Sequence, residues 1–146
     1  MPHDGLMVET ELGPVAGPRQ RARLHLRGGK RRLRQGKTAA GVVTLYDAVT
    51  AAMEAYAASG ERRLRTGPGE NLTNEKVLYR VLVRSAVLDG RFDFDRFDLL
   101  TEKALSGEIE PFDYGPVLAG VESVLTQLGV IPFDEGQLPR EDPKTF

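Results

Sequence analysis

Residues 38–59 read TAAGVVTLYDAVTAAMEAYAAS, and this stretch decides the fold. Val42, Leu45, Val49, Ala52 and Tyr56 recur at spacings of three and four, which lines them up on one face of a helix turning every 3.6 residues. About 20 residues at 1.5 Å each give a rod of about 30 Å. A continuous apolar seam along such a rod has to be covered by other helices, so the stretch predicts a bundle.

Downstream, the same period recurs in three more segments, and glycines punctuate it. Gly60, Gly90, Gly107 and Gly129 each follow an apolar-periodic run, the place where helices end in a left-handed conformation. The second helix is expected from Thr73, as N-cap, to about Leu88. It is apolar on most sides, with Lys76, Arg80 and Arg84 as a thin polar stripe, so it is expected at the centre of the bundle. The third runs from about Asp95 to Ser106 with Phe94, Phe97, Leu100 and Ala104 inward, its start capped by Asp93 or Asp95. The fourth runs from near Asp113 to Leu128 and tolerates Pro116 in its first turn. The reading is all-α: a four-helix antiparallel bundle over residues 38–131, followed by an extended tail over 132–146 that holds Pro132, Pro139 and Pro143. Ile131 and Phe133 are expected to pack back on the bundle.

Upstream, residues 1–37 contain Gly13-Pro14, Gly17-Pro18 and Gly28-Gly29 and few large apolar side chains. Such composition does not bury enough surface to offset ordering entropy, so this segment is expected to be a disordered or partly ordered basic arm. Residues 19–37 carry nine basic side chains and no acid, whereas residues 38–146 carry eleven basic and eighteen acidic ones. A basic arm thus precedes an acidic body, inside a net charge of only −1.

The composition bounds function as well. With no cysteine there are no disulfides or thiolate metal sites, and the two histidines, His3 and His25, both precede the predicted domain. No apolar run reaches the ~20 residues needed to span a bilayer, and the N-terminus lacks the apolar core of a signal peptide, so the expected location is cytoplasmic, without membrane contact.

Gly36-Lys37-Thr38 opens a helix in the manner of a phosphate loop, but Arg31 stands where the loop's first glycine belongs. Arg19 and His25, six apart, are similar in spacing to the arginine–histidine pair of the HEPN family of helical RNases. In that family the pair opens a late helix, whereas here it precedes the domain, and no catalytic role is carried over. Arg27, Lys30, Arg31, Arg32 and Arg34 are the candidate nucleic-acid contacts, since arginine forks bind phosphate and basic arms order on nucleic acid. Fifteen arginines against five lysines also fit a genome rich in arginine codons, with the arm a solvated extension or one appended by an upstream start codon.

Asp95, Asp98 and Glu102 share a helical face that hard cations would suit, although the calcium-loop pattern fails and helix capping plus solvation explains the cluster. Arg80 and Arg84 are read as half-buried, paired with Asp47 or Glu54, or else forming an anion pocket with Tyr46 or Tyr79. No nucleophile system is present in the domain, and no cofactor is implied. The leading functional reading is a non-enzymatic interaction or accessory module with an unknown protein partner, and a homodimer is compatible with it. The alternatives are nucleic-acid binding through the arm and a carboxylate-metal (Mg or Mn) enzyme.

Overall fold

The arginine-rich stretch is a helix. In the computed structural model, which describes residues 9–60 and 62–146, five helices follow one another: α1 (Glu9–Arg34), α2 (Thr38–Ala58), α3 (Glu75–Arg84), α4 (Phe94–Leu105) and α5 (Gly115–Gln127). Two short 3-10 turns, Glu135–Gln137 and Pro143–Thr145, lie in the C-terminal tail. The fold is all-α, with no strand among the described residues. The expected disordered arm is corrected over residues 9–34, while residues 1–8 lie outside the described residues.

The correction has a steric cause. Gly29 is a site of close helix approach. A Cβ on Gly29 would lie 2.7 Å from Leu45 Cδ2, and one on Gly41 would lie 2.7 Å from Leu33 Cδ2. Each helix therefore offers a glycine to the other's leucine, with glycine and leucine four apart on both, which sets α1 antiparallel to α2 at short range. Ala22 on α1 and Ala48, Ala51, Ala52 and Ala55 on α2 are buried and keep the seam narrow. Gly13 (φ 90°) breaks the first turn of α1 from the rest, so Pro14 falls at the start of the main helix, where its missing N–H costs nothing. Gly36 (φ 77°) closes α1: its N–H donates to Leu33 O at 3.1 Å and that of Lys37 to Arg32 O at 2.9 Å.

With α1 in place, the central helix is α2, in place of the expected segment from Thr73 to Leu88. Val42, Leu45, Val49 and Met53 are fully buried, and α1, α3, α4 and α5 all contact α2. Helix α3 is shorter than expected. It buries Leu78, Val81 and Leu82 and turns Arg80 and Arg84 to solvent. Asn74, not Thr73, caps it, its side chain accepting from Val77 N at 3.2 Å. It ends at Arg84 because Ala86 takes φ 59°, and the Val87 N–H reaches back to Leu82 O at 3.0 Å. An alanine thus makes the closure that glycine makes after α1, α4 and α5. Gly107 and Gly129 end α4 and α5 as expected, whereas Gly60 stays out of the left-handed region and Gly90 lies beyond the end of α3.

The left-handed region costs a non-glycine residue about 1–2 kcal/mol, and Ala86 is exposed with no packing role to lose. Ala86→Gly is therefore expected to stabilise the protein by about 0.5–1 kcal/mol, read as a rise in thermal midpoint.

Around α2, Phe94 stacks on Tyr46 at 5.6 Å and on Tyr79 at 5.0 Å between ring centroids, joining α4 to α2 and α3. Asp93 caps α4 by accepting from Arg96 N at 3.0 Å. Ile131 and Phe133 pack against the core as expected.

Candidate functional site

Helix α4 sends Phe94, Phe97, Thr101 and Ala104 into the core, which leaves Leu99 outward and 57% exposed. Beside it, α4 and α5 part to form an open cleft of about 770 Å³. Its walls are Phe92, Phe97, Leu99, Leu100, Phe112 and Val117. Gly120 on α5 explains how Phe92 reaches its place, because any Cβ there would overlap the ring. Arg91, Arg96 and Lys103 stand on the rim with Asp93 and Asp113. Both of these acids already serve the backbone: Asp93 caps α4, and Asp113 accepts from Gly115 N at 3.1 Å. Arg91 has only a long 3.9 Å approach to Asp89, and neither Arg96 nor Lys103 has an ion-pair partner among the described residues. The cleft therefore joins an aromatic floor to a rim of three cations and two carboxylates, in which the side chains of Arg96 and Lys103 make no ion pair among the described residues.

A smaller hollow of about 340 Å³ opens on the other flank of α4 and is acidic, with Asp47, Glu75, Asp98 and Glu102 around Tyr46. The Tyr46 hydroxyl donates to Asp98 at 2.8 Å, and Lys76 Nζ lies 3.2 Å from the same carboxylate. Burial, then the hydrogen bond and negative charge of Asp98, push the Tyr46 phenol above its ordinary range. Asp98 is thus engaged, and no group of three metal-ligating side chains could hold an ion among the described residues.

The residues singled out in the sequence are dispersed. Arg27 donates to Pro139 O at 2.7 Å, Lys30 lies 3.8 Å from Glu122, and Arg32 donates to Thr44 Oγ1 at 3.1 Å. Arg31 donates to Glu141 and Thr145, and both Arg31 (8%) and Arg32 (6%) are nearly sealed from solvent. Of that set only Arg34 is exposed. Asp47 does not meet Arg80 or Arg84. It lies 2.5 Å from His25 Nδ1 and 3.4 Å from Arg21 Nε, so the partner of the α2 acids is α1. Arg21 also holds Glu9 at 2.8 Å and Glu54 at 2.6 Å.

Arg84 instead clasps Glu70 through two bonds of 2.7 Å, and Glu70 in turn accepts from Gly67 N. These contacts hold the Glu70 carboxyl down at about 2 against an ordinary 4.5. A depressed carboxyl contributes stability that is complete above its ordinary value and is lost as pH falls toward 2. Arg84→Ala is expected to return the Glu70 titration toward the ordinary range, as followed by side-chain carboxyl NMR.

Phe92 and Phe112, the cleft walls that periodicity misses, sit in connections between helices. Their only sequence signal is an aromatic side chain in a loop. Among the described residues no helix is long and apolar enough to cross a membrane. Comparison with known proteins finds no family model, no curated protein and no solved structure that matches the chain.

Proposed function

We propose that this protein is a non-enzymatic binding module whose α4–α5 cleft takes an amphipathic, acidic helical segment of a partner protein. The observation that carries the reading is the aromatic floor beside Arg96 and Lys103, two exposed cations without ion-pair partners among the described residues. Apolar side chains of a docked helix supply affinity at roughly 25 cal/mol per Å² buried, and carboxylates on its flanks match the rim. Rim charges add little affinity individually, but they favour acidic partners over basic ones and speed encounter. A second copy of the chain is the competing occupant and would show as a concentration-dependent doubling of mass.

The test uses a fluorescent helical peptide with a leucine stripe flanked by glutamates, and its lysine-flanked counterpart, titrated against the full chain. The acidic peptide is expected to bind at least tenfold more tightly. Arg96→Glu with Lys103→Glu should remove or invert that preference while leaving the thermal midpoint within about 2 °C, since both residues are exposed. Equal binding of the two peptides, or none of either, sinks the reading.

A further inference from the structure

Arg23, Arg27 and Arg31 are four residues apart on α1, so their guanidinium groups form a row along one face at about 6 Å intervals. That row is filled by the C-terminal tail. Arg23 Nε donates to Val130 O at 3.2 Å and Arg27 Nη2 to Pro139 O at 2.7 Å. Arg31 takes the end of the chain, donating to Glu141 Oε1 at 3.0 Å, Thr145 O at 2.9 Å and Thr145 Oγ1 at 3.1 Å. Two aromatic rings complete the contact: Phe133 lies 5.5 Å from the Arg23 guanidinium carbon and Phe146 lies 4.7 Å from that of Arg31.

The chemistry of this contact is that of peptide recognition. Arg27 and Arg31 read main-chain carbonyls and one carboxylate, and Arg23 and Arg31 each face a ring, in an extended segment carrying four acids and two bases over residues 132–146, while the carbonyl that Arg23 reads, Val130 O, lies just before it. Its attachment is also shallow. From Ile131 onward no tail residue is fully buried; Ile131 and Phe133 pack against the core, and the part beyond Phe133, ending in the 55% exposed Phe146, is the part that opens at low free energy. Arg34 and Lys37, both exposed, carry positive charge beyond Arg31.

We propose that the Arg23–Arg27–Arg31 row is a docking surface for an extended acidic peptide of a partner protein, and that the chain's own tail occupies it in cis as an autoinhibitory segment. The surface lies on α1 and is independent of the α4–α5 cleft. A tethered occupant competes at the high effective concentration that a short linker imposes, so a partner engages only when it outcompetes the tail or when the tail is loosened.

The probe is a fluorescent peptide of residues 132–146, added to the full chain and to the full-length double variant Glu141→Lys, Phe146→Ala, whose tail is weakened. The weakened-tail variant is expected to bind the probe at least tenfold more tightly than the wild type, and adding Arg31→Ala should abolish the gain. Equal affinity of the wild type and the weakened-tail variant, or no binding by the latter, overturns the proposal. Salt-sensitive binding of a single-stranded oligonucleotide in place of the peptide overturns it as well. Hydrogen exchange on the wild type is a second arm that does not depend on any variant folding. The amides of Thr145 and Phe146 should exchange orders of magnitude faster than those at the centre of α2, and equal protection would mean that the tail does not release.

Discussion

Gly29→Leu is expected to cost about 3 kcal/mol or more, lowering the thermal midpoint by roughly 10 °C in a chain of this size. The Cβ alone would meet Leu45 Cδ2 at 2.7 Å, Cγ at 2.9 Å and the backbone nitrogen at 3.3 Å, so a rotamer change of Leu45 removes only part of the clash. The rest has to come from separating α1 from α2, which loosens the buried alanine seam along its length. Gly29→Ala tests the sign. Alanine gains about 1 kcal/mol of helix propensity over glycine, so a net loss of stability shows that packing outweighs propensity at this site. Leu45→Ala added to Gly29→Leu should recover a substantial part of the loss, because it vacates the volume that the new side chain needs. Denaturant midpoints of the four chains check the set. Stability of Gly29→Leu equal to wild type would mean that the two helices do not meet as described.

That glycine also marks where the sequence stops being legible. The period in residues 38–59 led directly to α2, and Pro116, Asp93, Gly107 and Gly129 bounded α4 and α5, because each of those signals is local. In α1 the local and the tertiary signals conflict. Glycine and proline disfavour a helix taken alone, and only the presence of Leu45 and Leu33 in the opposite helix makes Gly29 and Gly41 assets. Arginines mislead in the same way, since Arg23, Arg27 and Arg31 read as a solvated charge run until the tail, more than a hundred residues away in sequence, supplies their acceptors. The end of α3 was misplaced because an alanine adopted the conformation that sequence reasoning reserves for glycine. Of the candidate cleft, Phe97 and Leu100 were legible as helix positions, while Phe92 and Phe112 were not, because loop residues carry no period.

The polar seam between α1 and α2 supports the second large prediction. His25 is 3% exposed and its Nδ1 lies 2.5 Å from Asp47 Oδ2, while Asp47 is 31% exposed at its side chain and also faces Arg21. Removing one partner of a fully buried charged contact costs about 3–5 kcal/mol, and the partial exposure of Asp47 reduces that. Asp47→Ala is therefore expected to cost about 2–3 kcal/mol, whereas Glu54→Ala, which removes a more exposed carboxylate from the same Arg21, is expected to cost less than about 1 kcal/mol. His25→Ala combines the loss of this contact with a cavity, so its own value cannot apportion the pair. A double-mutant cycle of Asp47→Ala with His25→Ala can, and the expected coupling is about 1–2 kcal/mol by urea unfolding. Coupling below about 0.3 kcal/mol would mean that the carboxylate acts on Arg21 alone. At Asp47 the seam would then be held by the guanidinium of Arg21 and not by His25.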